Sequence, residues 1–174
     1  MEIDKIFTGV PVTVDALLRS RDERVQRQRA LFDTGAPCVI SFTLNIPGEI
    51  KMFPLAQDAF RAGLAALYRS FSEQIAEVSV HELPTGCEAQ LAVNAFPTNA
   101  KLIAIGIELS HPFGRLYDID VLTPEGKSIH REELGFPSRQ CLLCGKDAKH
   151  CGRSHAHSIQ ELRYKVASIL KDRL

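Results

Sequence analysis

Residues 116 to 122 alternate between apolar and acidic side chains, and no other part of the chain constrains the fold as strongly. Asp118 and Asp120 stand two positions apart in this otherwise apolar run. Side chains two positions apart in a β-strand point to the same face, so both carboxylates share one face. On this prediction the acidic face carries Leu116, Asp118, Asp120 and Leu122, and the other face carries Arg115, Tyr117, Ile119 and Val121. Half-burying carboxylates is costly unless their charge is compensated, so the strand predicts a site for a cation.

The spacing of the two carboxylates favours Mg²⁺ as that cation. Side chains on one strand face lie about 7 Å apart, close enough for Asp118 and Asp120 to converge on one ion. Mg²⁺ is typically held by one or two protein carboxylates, with water and substrate phosphates in the other positions. Gly114 places a turn before the strand. We therefore predict a site for phosphate chemistry, although a short acidic pair of this kind is often only a solvated edge or turn.

The length and the charge balance narrow the class of protein. The 174 residues suit a single domain over 1–174 with a sizeable core. Lys plus Arg equals Asp plus Glu at 21 each, so no overall basic field argues for nucleic acid or an anionic membrane as a partner. We expect a cytoplasmic protein, because the sequence shows neither a secretory signal nor a membrane-spanning segment.

Apolar spacing and turn residues predict an α+β fold. Helices are predicted at 14–32, 54–75, 98–109 and from 158 onward, and strands at 38–45, 76–83, 88–95, 116–122 and 128–131. We expect a mixed sheet of about five strands with helices packed on it. Residues 135–157 show little periodicity and are interpreted as a loop-rich segment before the C-terminal helix.

Cysteine and histidine residues in that loop-rich segment have the spacing of metal ligands. Cys141 and Cys144 form a Cys-x2-Cys pair, and Cys151 and His157 follow within reach of a tetrahedral site. We predict a structural Zn²⁺ here, with His155 as an alternative fourth ligand. One Cys-x2-Cys pair is weaker than two, so ordinary reduced thiols stay an alternative.

Basic residues for phosphate binding are concentrated in the first predicted helix. Arg21, Arg24 and Arg27 alternate with acidic residues there, and Lys51 lies further along the chain. Guanidinium groups suit bidentate contact with phosphate. Such a helix face is also commonly just solvated and stabilised by its own ion pairs, and this alternative stays open.

Five segments, taken in order, resemble a single family from about residue 12 to 170. They are Ser20-Arg-Asp-Glu-Arg-x-x-Arg-Gln28, Ser41-Phe-Thr43 with Pro47-Gly48-x-Ile-Lys51, His111-Pro-x-Gly-Arg-Leu-x-Asp-x-Asp-Val121, Leu122-Thr-Pro-Glu-Gly126, and Arg139-x-Cys-Leu-Leu-Cys144 continuing to His157. The combination resembles the apo-citrate lyase phosphoribosyl-dephospho-coenzyme A transferase family, also called citrate lyase holo-acyl-carrier-protein synthases. Tyr117 stands where the family pattern has tryptophan.

The resemblance implies an enzyme that attaches the prosthetic group of citrate lyase. The donor would be 2'-(5''-triphosphoribosyl)-3'-dephospho-coenzyme A, the acceptor a serine of the acyl-carrier (gamma) subunit, and the by-product diphosphate. The layout also resembles the nucleotidyltransferase catalytic core. Two alternatives are a transferase for another carrier, such as that of malonate decarboxylase, and a non-catalytic module held together by zinc.

The resemblance also suggests a role for each candidate residue. Asp118, Asp120 and Arg115 would form the catalytic set, with the aspartates holding Mg²⁺. The substrate phosphates would be bound by Arg21, Arg24, Arg27, Lys51 and Gly114. The general base is left open between an aspartate of the pair and a third carboxylate such as Glu108, while His111 and His130 flank the strand and are more often satisfied polar groups.

Overall fold

The computed structural model describes residues 3–171, apart from the side chain of Asp4. Within that range the α-helices and strands are α1 (Val14–Leu31), β1 (Cys38–Leu44), α2 (Pro54–Phe71), β2 (Ile75–Leu83), β3 (Gly86–Val93), α3 (Pro97–Ser110), β4 (Tyr117–Leu122), α4 (Ala148–Arg153) and α5 (Ile159–Lys171). The expected α+β class is confirmed. No helix in this part of the chain is long and apolar enough to cross a membrane.

The four strands form one antiparallel sheet in the order β2-β3-β1-β4. The prediction of a mixed sheet of about five strands was therefore wrong. The expected strand at 128–131 contributes one bridge, between Leu122 and Ser128, and the chain then enters a 3-10 turn at Arg131–Leu134. A further strand does not form beside β4, because side chains already occupy most of its outer edge.

Those side chains come from α3 and from the segment that follows the sheet. Lys101 donates a hydrogen bond from Nζ to the Ile119 carbonyl at 2.8 Å, and the Ile119 amide donates to Glu108 Oε1 at 3.0 Å. The Arg139 guanidinium donates to the Tyr117 carbonyl. Pairing the backbone groups of an edge strand in this way leaves little for another strand to bind.

The two faces of the sheet pack against different layers. One face carries the apolar alternate residues of every strand and packs against α2 and α3, and α5 packs on α2 and adds Val166, Ala167 and Leu170 to the same core. In that core the Phe42 ring stacks on Phe60 with centroids 5.0 Å apart. A side chain at Gly63 would place its Cβ 2.5 Å from the Phe42 ring, so the glycine allows α2 to approach the sheet. The other face is polar and lies under α1.

Several local predictions were refined. The helix expected over 54–75 ends at Phe71, and the segment 135–157 contains the short helix α4 rather than loop alone. Gly114–Leu116 form a 3-10 turn, so Arg115 and Leu116 lie outside the strand and were wrongly assigned to its faces. The helix predicted from 158 onward begins with a capping box, in which Ser158 Oγ accepts from the Glu161 amide at 3.2 Å and Glu161 Oε2 accepts from the Ser158 amide at 2.8 Å.

Candidate active site

Asp118 and Asp120 lie together on the polar face of the sheet, as predicted. Both side chains are exposed, whereas the intervening residues of β4 are buried. The strand register places Thr43 opposite Asp118 on one side and opposite Glu88 on the other. Adjacent strands lie about 4.8 Å apart, so Glu88 and Asp118 are separated by about 10 Å across the face. The face therefore presents three carboxylates around one threonine.

The charge of Asp118 is only partly compensated by its surroundings. Its side chain is 52% exposed, and Oδ1 lies 3.3 Å from Arg139 Nη1. Partial burial, followed by the charge of Asp120, raises the pKa of Asp118, and Arg139, Lys101 and Arg24 act in the opposite direction. Two carboxylates that repel each other on an accessible face fit a divalent cation, because the ion would relieve that repulsion. The residues present therefore fit the expected Mg²⁺ site.

Two of the predicted phosphate-binding arginines reach the same face from α1. Arg24 Nε donates to Glu88 Oε2 at 2.7 Å, and Arg27 donates to Glu88 Oε1. The side chain of Glu88 is 3% exposed, whereas the side chains of Arg24 and Arg27 are 29% and 22% exposed. Glu88 therefore fixes both arginines over the sheet and leaves part of each accessible. Arg21 lies on the exposed flank of the same helix.

A small cavity adjoins this pair of arginines. It has a volume of about 180 Å³, and its lining includes Lys51, Arg24, Glu88 and Thr43. Lys51 donates from Nζ to the Ile46 carbonyl, and burial lowers its pKa. The cavity thus joins Lys51, a predicted phosphate ligand, to the face that carries the aspartates.

The other two predicted residues, Gly114 and Arg115, make contacts that hold the local structure together. Gly114 is buried, and a Cβ there would collide with the Glu108 carbonyl, so the position tolerates no side chain. The Arg115 guanidinium donates to the carbonyls of Gln140 at 3.2 Å and Cys141 at 3.0 Å. Arg115 therefore fastens the start of the Cys/His segment to the end of α3 and its turn.

The Cys/His segment brings its four predicted ligands together. One ligand atom from each of Cys141, Cys144, Cys151 and His157 lies within 4.8 Å of all the others. Cys144 Sγ is 3.5 Å from Cys151 Sγ and 3.2 Å from His157 Nε2. Tetrahedral zinc with bonds of about 2.3 Å places its sulfur ligands roughly 3.8 Å apart, so this cluster can hold such a metal.

The pKa of one ligand, Cys144, suits a metal, whereas that of Cys151 is shifted in the opposite direction. The Lys146 amide and then His157 lower the pKa of Cys144 to about 6, which favours the thiolate that binds zinc. Burial raises the pKa of Cys151 to about 11. His155, the alternative ligand, lies outside the group and adopts a positive φ of 48°.

The sequence did not single out three residues that complete the site. Glu88 and Lys101 stand in apolar stretches, where their contacts depend on strand order and on the packing of α3. Arg139 was part of a family motif, but it contacts Asp118 only because the chain returns to β4 after an interval of 21 residues. The signal that could have identified Glu88 and Lys101 was a charged residue inside an apolar stretch of sequence.

The remaining candidates for a base are engaged in contacts with other groups, and Glu108 also lies 3.3 Å from Nη2 of Arg139, the arginine that contacts Asp118. Glu108 accepts from the Ile119 amide and from Arg131 Nη2 at 2.6 Å, and burial raises its pKa despite the nearby cations. His111 Nδ1 lies 2.8 Å from the Tyr117 hydroxyl, whose ring packs in the core. His130 caps the 3-10 turn at Arg131–Leu134. These contacts are structural.

Comparison with known proteins agrees with the motifs. A family model described as apo-citrate lyase phosphoribosyl-dephospho-CoA transferase matches residues 12–173. A protein of that name from Citrobacter koseri is 39% identical over 168 residues, which cover 92% of this chain and 90% of the relative. Proteins of the same name from Escherichia coli O1:K1 and O9:H4 are 38% and 37% identical over 164 residues, with the same two coverages. The chain therefore belongs to the apo-citrate lyase phosphoribosyl-dephospho-CoA transferase family.

Proposed function

We propose that this protein transfers the 2'-(5''-phosphoribosyl)-3'-dephospho-CoA group from its triphosphoribosyl precursor to a serine of the acyl-carrier (gamma) subunit of apo-citrate lyase. The relatives' names describe this transfer to apo-citrate lyase. The observation that carries the proposal is the acidic pair Asp118 and Asp120, which shares one sheet face with Arg24 and Arg27. Carboxylates for a cation beside arginines for phosphate are the parts that nucleotidyl transfer requires.

The reaction is a substitution at the α-phosphorus of the triphosphate. The serine oxygen forms a bond to that phosphorus, the bond to the bridging β-phosphate oxygen breaks, and diphosphate leaves with the electron pair. The serine proton passes to a base, and a carboxylate of the acidic pair is the candidate nearest to the reacting phosphate. Catalysis of this kind depends mainly on positioning and on stabilising developing negative charge.

Residues of this chain can supply both requirements. Asp118 and Asp120 would hold Mg²⁺, which supplies positive charge to the phosphate oxygens when it is bound. Arg24 and Arg27, held in place by Glu88, would bind the outer phosphates, and Lys51 extends the positive charge into the adjoining cavity. We assign the nucleotidyltransferase class on these grounds, supported by the sequence of helix, glycine turn and acidic strand.

Intact-mass spectrometry of the carrier subunit tests the proposal. Apo-carrier incubated with this protein, the triphosphoribosyl donor and Mg²⁺ should gain the mass of the donor minus diphosphate, and chelation of Mg²⁺ should prevent the gain. Asp118→Asn and Asp120→Asn should each slow the transfer by about 10²–10³-fold. Asp58→Asn, on the far side of the sheet in α2, is the matched control and should retain the wild-type rate.

Two results would contradict the proposal. If the carrier gained no mass with folded protein, the transfer assignment would be wrong, and the carrier of malonate decarboxylase would be the next acceptor to test. If Asp118→Asn kept the wild-type rate, the transfer could stand but the acidic pair would not be its site.

A further inference from the structure

A second cavity lies between the Cys/His cluster and α5, away from the acidic face. Its volume is about 290 Å³, and its apolar lining comes from Leu142, Ile159 and Leu162. Cys141, Cys151 and His157 form part of its wall, so the metal cluster shapes the cavity. Cavities of this size with apolar walls and a few polar groups are typical sites for small organic ligands.

Arg139 connects this cavity to the acidic pair. Its side chain lines the cavity, while its Nη1 lies 3.3 Å from Asp118 Oδ1. Arg115 lines the cavity as well and keeps its guanidinium against the carbonyls of Gln140 and Cys141. A ligand in the cavity would therefore contact the arginine that also contacts Asp118.

The lining indicates the chemistry of that ligand. Apolar side chains, histidine rings and guanidinium planes favour a planar heteroaromatic ring that carries phosphate nearby. The proposed donor has such a ring, the adenine of its dephospho-CoA moiety, which is joined through its own ribose and the added ribosyl unit to the phosphate that reacts.

We propose that the cavity between the Cys/His cluster and α5 binds the adenine nucleotide of the dephospho-CoA moiety. The reacting phosphate would then lie at Asp118 and Asp120, with Arg139 between the two subsites. This inference rests on the proposed function and adds where the donor is held. It also gives the metal cluster a role in substrate binding, because three of its four residues shape the wall.

Binding of 3'-dephospho-CoA, measured by isothermal titration calorimetry on the full chain, tests the inference without a turnover assay. Gly152 lies on the cavity wall in α4, and no atom lies within 4 Å of a Cβ built there. Gly152→Phe can therefore fill the cavity without a backbone clash. Lys149→Phe, on the same helix but outside the lining, is the matched control. We expect Gly152→Phe to weaken binding at least about tenfold and Lys149→Phe to leave it unchanged.

A second pair of variants keeps the test valid if Gly152→Phe does not fold. Ile159 is 54% exposed at the start of α5 and lines the cavity, whereas Tyr164 on the same helix is 45% exposed and does not line it. Ile159→Trp should weaken binding, and Tyr164→Trp should not. Zinc content and circular dichroism, measured on every variant, identify any variant that has lost its structure.

Competition then separates the two ends of the ligand. Adenosine monophosphate should displace 3'-dephospho-CoA from the wild-type protein, and its own binding should be weakened by Gly152→Phe. If pantetheine competed in this way and adenosine monophosphate did not, the adenine assignment would be wrong. If neither cavity variant changed binding while the carrier was still modified, the inference would fail and the proposed function would survive. If the cavity variants weakened binding but the wild-type protein did not modify the carrier, the cavity would still be the nucleotide site and the proposed function would be wrong.

Discussion

Asp118 carries a charge that the fold does little to stabilise. Its pKa is raised by partial burial and by Asp120, so ionisation of Asp118 opposes folding once the pH exceeds the ordinary aspartate value of 3.8. A group of this kind, held beside a second carboxylate, is typical of a site whose favourable partner is a ligand rather than the protein.

The first prediction concerns the stability of Asp118→Asn. Without Mg²⁺ at pH 7, this variant should unfold at a temperature equal to or above that of the wild type, because a disfavoured charge is removed. The difference should disappear below about pH 3, where the carboxyl group is protonated in both folded and unfolded chains. Thermal unfolding followed by circular dichroism measures both effects.

Mg²⁺ should reverse the order of stability. At a hundredfold excess over its dissociation constant, the ion should raise the unfolding temperature of the wild type by roughly 5–10 °C. Asp118→Asn should show little response, and Asp58→Asn should respond like the wild type. An equal response from all three proteins would place the ion elsewhere.

Glu88 gives a second prediction, because two arginines depend on its buried carboxylate. Removing its charge leaves Arg24 and Arg27 close together without the carboxylate they share, with only the exposed Glu23 still beside Arg27, and breaking a buried pair in this way is strongly destabilising. We expect Glu88→Gln to lower the free energy of unfolding by about 2–4 kcal/mol in urea titrations. Glu82 lies on the neighbouring strand β2 and forms an exposed ion pair with Arg61 of α2. Glu82→Gln breaks that pair and should lower the free energy of unfolding by less than about 1 kcal/mol. Equal costs would show that Glu88 does not organise the arginines.

At the scale of elements, the sequence predicted the helices and strands better than their partners. The period-two alternation in β4 correctly placed Asp118 and Asp120 on one face, since that alternation is a local property of the chain. The strand expected at 128–131 failed because its place beside β4 is taken by the side chains of Lys101 and Glu108, which come from an earlier helix. Tertiary contacts of this kind leave no periodic signal in the sequence.

In the Cys/His segment, too, the local features were predicted and the tertiary contacts were not. Its spacing predicted that Cys141, Cys144, Cys151 and His157 come together, and they do, because short intervals limit how far the side chains can separate. The spacing did not exclude His155 and did not reveal the cavity behind the cluster, since the cavity also requires α5.

The third prediction concerns metal binding by this segment. The purified protein should contain one zinc per chain by elemental analysis, and Cys144→Ser should lose it, because the cluster then lacks its most acidic thiol. Cys87→Ser changes a buried thiol outside the cluster, whose pKa is raised to about 12, and should keep the metal. Chelation should expose residues 135–157 to limited proteolysis while the sheet stays intact. Zinc retained by Cys144→Ser would contradict the assignment of this ligand.

Across the whole molecule, the two sides of the sheet differ in how firmly their helices are packed. The apolar side packs against α2 and α3 in one large core that α5 completes, whereas α1 covers the polar side. Seven of the 18 residues of α2 are buried, compared with two of the 18 in α1. Under α1, the amide atoms of Gln90 and the Nε of Arg27 are buried without a hydrogen-bond partner in the described part of the chain. The layer that carries Arg24 and Arg27 is thus the more weakly held.

The last prediction follows from this asymmetry. Helices with few buried apolar contacts open at lower free energy than core helices, so amide hydrogens of Val14–Leu31 should exchange faster than those of Pro54–Phe71. Binding of the donor with Mg²⁺ would join Arg24 and Arg27 through phosphate to the acidic strand, and exchange in α1 should then slow while exchange in α2 changes little. Hydrogen-exchange mass spectrometry with and without donor measures both, and Asp118→Asn should abolish the protection of α1. If α1 were as protected as α2 before the donor is added, the helix would be as firmly held as the core helices, and the expected asymmetry between the two sides of the sheet would be wrong.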